Sequence, residues 1–208
     1  DQRMAKRSAL LAVSLLALLA GAPAMAQPAP AGGMGMGSGM GYGRYRGSAD
    51  AHFIVMMIPH HDGAIAMADL ALQRARHPEI RALAARIKAS QSQENAKMRR
   101  WYRQWFGTDV PAWGAGGGYG MGMGMGMGMP GMATSLEALR NAADFDRAFI
   151  EQMIPHHRMG VMMASHAELN TTHQDLRNLQ AAMVRVQSQE IEQMANWYRQ
   201  WFGSSPAR

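Results

Sequence analysis

The sequence predicts an all-α protein: a four-helix bundle built from two duplicated helical hairpins, joined by a flexible Gly/Met-rich linker. Three observations predict it. Residues 50–107 align without a gap on residues 146–203, and nearly half of the paired positions are identical, so the chain carries an internal duplication. Each copy holds two long stretches of 3-4 apolar spacing, the period of a helix with one buried face. Between the copies runs "GAGGGYGMGMGMGMGMPGM" (114–132), whose alternating glycine denies it both a helix and a packed core.

Taken in order, residues 1–26 read as a secretory leader. Lys6 and Arg7 form a basic n-region, Ser8 to Ala20 is an apolar run of h-region length, and Ala24-Met25-Ala26 fits a small-x-small cleavage site. The leader starts at Met4; Asp1, Gln2 and Arg3 are read as a misassigned start or added residues. The run is shorter than the ~20 residues that span a bilayer, which makes a transmembrane anchor the weaker reading. The chain from about Gln27 is therefore expected to be soluble, with no membrane insertion after cleavage, and periplasmic or secreted.

Residues 27–49 form a first Gly/Met-rich segment, and 50–107 the first hairpin, with helices expected over Asp50 to Arg74 and Pro78 to Phe106. Residues 108–134 are the linker. Residues 135–203 hold a short helix, roughly Ser135 to Asn141, and the second hairpin, Asp144 to Leu169 and Gln174 to Phe202; 204–208 are a tail. Pro78 suits a first helical position, Thr172 with Asp175 reads as a capping box, and Gly107 and Gly203 stand where a helix-ending glycine belongs.

Composition excludes some functions. The chain carries a formal net charge of +6, and loss of the leader removes Arg3, Lys6, Arg7 and Asp1, leaving it mildly basic. No dense Lys/Arg face with interleaved aromatics occurs, so nucleic acid is not an expected partner. The absence of cysteine excludes disulfides and thiolate metal sites, whereas methionine is used 21 times.

The chemistry is expected where the apolar stripes are interrupted. In the second helices the row Ala84, Ile87, Gln91, Glu94, Met98, Trp101, Trp105 repeats as Gln180, Met183, Gln187, Glu190, Met194, Trp197, Trp201. In the first helices Ile54, Met57, His61, Ala64 and Ala68, with His60 and Met67 alongside, repeat as Ile150, Met153, His157, Gly160 and Ala164, preceded by His156. Burying a carboxylate or an unpaired imidazole costs several kcal/mol unless it is paired or binds a metal. A polar network of His with Glu94 and Gln91 is the simpler reading for one inward histidine. The 8 His of the chain, with Glu and Met matched in both copies, favour a metal.

Thioether and imidazole without thiolate suit copper, Cu(I) above all but Cu(II) as well, with Ag(I) as a mimic. The candidate ligands are Met57, His60, His61, Met67, Glu94 and Met98 in the first copy and Met153, His156, His157, Glu190 and Met194 in the second. Met159, Met163 and His166, at i, i+4 and i+7, offer the second copy a further site, with gap-filling core as the alternative. Met121, Met123, Met125, Met127, Met129 and Met132 of the linker offer weak, exchangeable thioethers. Pro59 and Pro155 either bend their helices, freeing the carbonyls of Val55 and Glu151, or begin new ones. His77 and His173 fall at the turns, where capping or exposure is expected, and His52 has no counterpart.

Phe53 to His61 with Gln91, Glu94, Met98 and Trp101, and Phe149 to His157 with Gln187, Glu190, Met194 and Trp197, resemble the marks of the family called domain of unknown function 305. The resemblance covers both copies. It implies a ferritin-like four-helix bundle, bacterial and usually exported, with members associated with copper binding and resistance, and it implies no reaction. The family commonly has Gly-Ala after the His pair, as in Gly63-Ala64; Arg158-Met159-Gly160 departs from this, which implies unequal metal sites. The expected function is copper sequestration, buffering or delivery, in the last case to a copper-transfer protein. The alternatives are a ferritin-like redox enzyme (di-iron or Cu(I) oxidase) and a metal-free helical bundle.

Overall fold

The computed structural model describes residues 48–111 and 135–206. The leader 1–26, nearly all of 27–49 and most of the linker, with Met121 to Met132, lie outside the described residues. No described helix is long and apolar enough to cross a membrane.

Among the described residues five helices follow in order: α1 (Ala49–Arg74), α2 (Pro78–Phe106), α3 (Leu136–Asn141), α4 (Phe145–Glu168) and α5 (Gln174–Phe202). Local chemistry sets their ends. The Ser48 hydroxyl accepts from the Ala51 amide and starts α1 one residue earlier than the sequence suggests; the Asp144 carboxylate accepts from the Arg147 amide, so Asp144 caps α4 from outside. Gly107 and Gly203 end α2 and α5 at φ of 73° and 67°, the left-handed conformation that only glycine takes at no steric cost. Pro59 and Pro155 lie inside continuous helices, so neither begins a new one.

α1 packs on α2 and α4 on α5, and the hairpins meet mainly through α1 and α4. The buried residues fall into two apolar clusters. One joins the C-terminal half of α1 (Met67, Ala68, Ala71) to the N-terminal half of α4 (Phe149, Met153), closed by Ile87 and Met194. The other joins the N-terminal half of α1 (Phe53, Ile54, Met57) to Ala164 of α4, closed by Met98 and Met183. α1 and α4 therefore run antiparallel. The two His pairs belong to neither cluster and sit at the mid-length of their helices, between them.

Each hairpin also clasps the other's turn. Asp50, fully buried at the start of α1, accepts from the Thr172 and His173 amides at 3.1 Å each, from the Thr172 hydroxyl at 2.7 Å and from His173 Nδ1 at 2.6 Å. Asp146 of α4 does the same for the Arg76 amide (3.0 Å), the His77 amide (2.8 Å) and His77 Nδ1 (2.5 Å). The two imidazoles then stack on Trp105 and Trp201, centroids 3.7 Å apart. Burial works to raise the Asp50 pKa, but the bonds from Thr172 and His173 outweigh it and hold the carboxyl below its usual value.

The capping box expected at Thr172 and Asp175 does not form: Thr172 spends its hydroxyl on Asp50, and His173 occupies the cap position. Asp146→Ala should destabilise the fold by about 3 kcal/mol in denaturant melts, because it strands two amides and an imidazole at a half-buried turn. An unchanged midpoint would show the clasp to be incidental.

Candidate metal centre

Between the apolar clusters lies a polar layer drawn from all four long helices. The helical period explains the convergence: Met57, His61, Ala64 and Ala68 share the inward row of α1, and all are fully buried. His60, one residue off that row, faces α4 instead. Its Nε2 donates to the main-chain oxygen of His156 at 3.0 Å, and the two rings stack with centroids 3.8 Å apart. The His156 ring in turn meets the His60 backbone.

His61 and His157 turn toward the second helix of their own hairpin. His61 Nε2 lies 2.7 Å from Glu94 Oε2, and His157 Nε2 lies 2.8 Å from Glu190 Oε2. Carbonyl and carboxylate oxygens only accept, so Nε2 of His60, His61 and His157 carries the hydrogen and Nδ1 keeps the lone pair. The Nδ1 atoms of His60, His61, His156 and His157 are all buried without a hydrogen-bond partner, as are Oε1 of Gln91 and Gln187. The layer thus holds six unsatisfied acceptors.

Burial pushes the His60 pKa down to about 3, with neighbouring His61 as the next cause and the bond to His156 opposing. Burial also lowers His156, to about 2, with His60 as the next cause. Both imidazoles are neutral at ordinary pH, with their lone pairs available.

The other predicted ligands divide by environment. Met57 and Met98 lie in one apolar cluster, and Met67, Met153 and Met194 in the other, so they flank the imidazole layer without joining its hydrogen bonds. Glu94 and Glu190 reach the layer through His61 and His157, and keep 18% and 11% of their side chains exposed. A groove of about 270 Å³ lined by Arg86, Val186, Gln189 and Gln193 opens onto Glu190. Met159 is buried, Met163 half-buried and His166 exposed, so the face of α4 predicted as a further site runs outward from the layer to solvent.

Among the described residues, no three His, Asp or Glu side chains converge into a ligand set on their own. The histidine pairs are brought together; the full set of four His and two Glu is not.

Asp50 and Asp146 stand outside the ligand candidates of the sequence, though a signal was present. Asp50 lies four residues before Ile54 on the row that continues to Met57 and His61, and it is identical in both copies. Gly160 stands on the inward row that the sequence identifies, and a Cβ there would lie 2.4 Å from Gln187 Oε1 and 3.1 Å from His60 Cε1.

The family described as domain of unknown function (DUF305) matches residues 50–198. Two structures of CopM, in the Ag-bound form obtained by co-crystallization and in the Cu(I)-bound form, each share 45% identity with a TM-score of 0.64, covering 74% of this chain and 98% of theirs. CopM in the Cu(II)-bound form shares 48% identity with a TM-score of 0.64, covering 73% and 97%. A DUF305 protein from Streptomyces coelicolor, described as secreted, shares 29% identity with a TM-score of 0.65, covering 77% and 98%. A search of the curated proteins finds no match.

Proposed function

The chain belongs to the DUF305 family, and on that premise we propose that it is an exported copper-binding protein that sequesters, buffers or delivers copper through His and Met side chains. The observation that carries the reading is the set of four buried Nδ1 lone pairs, with Nε2 of His60, His61 and His157 already tied to an oxygen. Acceptors buried without donors are costly, and a cation satisfies them.

The arrangement of Glu94 behind His61 and Glu190 behind His157 supports it. A ligating imidazole commonly donates its other N–H to a carboxylate, which fixes the tautomer and makes the free nitrogen a better donor. On this reading the two Glu orient ligands, and the thioethers of Met57, Met67, Met98, Met153 and Met194 line the flanks of the layer in a medium that suits Cu(I). Met159, Met163 and His166 form a path of soft donors from solvent inward, and the Gly/Met linker adds exchangeable thioethers.

The CopM structures holding Cu(I), Cu(II) and Ag support copper as the cargo and silver as its mimic. The leader pattern and the secreted Streptomyces relative support export. The donor set favours binding over catalysis, because each core carboxylate is engaged with an imidazole and no Glu-x-x-His pair lies at the layer.

Titration calorimetry with Ag(I), and with Cu(I) under anaerobic conditions, should show at least one equivalent bound. Free ion at a hundred times Kd should raise stability by about 2.7 kcal/mol, read as a higher Tm that a chelator reverses. Absence of heat and of any Tm shift with both ions would sink the proposal.

A further inference from the structure

The two halves of the polar layer are not equivalent, and Gly160 is where they part. Its counterpart in the first copy is Ala64, fully buried. With no methyl at 160, the Gln187 carboxamide and the His60 ring both close onto the α4 backbone. Oε1 lies 2.4 Å and Cε1 3.1 Å from the point a Cβ would occupy, so the two atoms are no more than about 5.5 Å apart, the sum of those reaches.

Cε1 is bonded to Nδ1, the His60 nitrogen that holds an unshared lone pair. Gln187 Oε1 is also buried and unpartnered. Two acceptors buried beside one notch, with no donor for either, are complementary to a positive centre held between them. Amide oxygen with imidazole nitrogen is a harder pair than thioether sulfur and suits Cu(II) better than Cu(I) or Ag(I).

Resting on the reading of this layer as a copper site, we propose that Gln187 ligates the metal through Oε1, that with His60 Nδ1 it makes this half of the layer the part that holds Cu(II), and that Gly160 is the residue that admits it. Gln91 is the same residue type in the first copy, and its Oε1 is likewise unpartnered, but the Ala64 methyl stands where Gly160 leaves room. Among the described residues there is therefore one such Cu(II) position rather than two, and the unequal copies sort the oxidation states of one element.

Titrations with Cu(II) and with Ag(I), read by calorimetry and for Cu(II) also by electron paramagnetic resonance, test this on the full chain. Gln187→Leu should lower Cu(II) affinity about tenfold or more, the weight of one lost ligand, and change the resonance spectrum, while Ag(I) affinity stays within about twofold. Gln91→Leu should weaken Cu(II) binding less than Gln187→Leu does and leave Ag(I) affinity within about twofold. Gly160→Ala should mimic Gln187→Leu for Cu(II), and an unchanged circular dichroism spectrum shows that it folds. Gln187→Leu binding Cu(II) as tightly as the parent, or Gln91→Leu weakening it equally, overturns the assignment while leaving copper binding intact. A parent protein that binds neither ion overturns both.

Discussion

Replacing His60, His61, His156 and His157 together by alanine should lower Ag(I) and Cu(I) affinity by more than about a hundredfold, because it removes all four free imidazole nitrogens of the layer. Four truncations in a core also open cavities, so a gentler pair isolates the chemistry. Glu94→Gln with Glu190→Gln keeps the shape and the imidazoles but replaces the carboxylates that His61 and His157 donate to. That pair should weaken binding by about 10- to 100-fold with little loss of helicity. If the quadruple variant folds and still takes up one equivalent of Ag(I) at the parent's affinity, the ions bind elsewhere and the layer is only structural.

Acid should destabilise the metal-free protein well before its carboxylates protonate. The folded pKa values of His60 and His156, about 3 and about 2, lie below the ordinary 6.5. The unfolded chain therefore takes up protons that the folded one refuses. The contribution of these two residues is complete above pH 6.5 and is lost as pH falls from there toward 3, with a limiting slope of about 1.4 kcal/mol per pH unit for each residue. From pH 7.5 to pH 5 the pair should cost about 4 kcal/mol, measured as the drop in unfolding free energy in denaturant. His156→Leu should roughly halve the slope. A flat profile over that range would mean that the rings are hydrated or charged in the folded state. Asp50 works in the same sense but lower down: its depressed pKa adds stability above about 3.8, lost only as pH falls through its lower folded value.

The helices were legible because the chain states their pattern twice. A 3-4 row that recurs 96 residues later, as His60 and His156 do, is hard to mistake for chance. Boundaries followed wherever one local group decides them, as Gly107, Gly203 and Pro78 do. Where two groups compete the pattern was silent: Thr172 carries a capping signature, and only the fold reveals a buried carboxylate that accepts from it more strongly.

The same divide runs through the centre. Periodicity could place His61 and Glu94 on facing rows, and they meet. It could not show that His60 and His156 stack on each other, because that contact depends on how closely α1 and α4 approach. Nor could it separate a methionine that packs from one that binds, since both occupy the same inward positions.

The paired clasps limit how such a chain can have arisen. Among the described residues, Asp50 is satisfied by the turn at Thr172 and His173, and Asp146 by the turn at Arg76 and His77. A solitary hairpin would leave that aspartate without its partner turn, but two identical hairpins would complete each other by the same exchange. The exchange is thus one that two copies of a half-length chain could make with each other. Gene fusion would then have freed the halves to differ, which is the condition Gly160 and Ala64 now record.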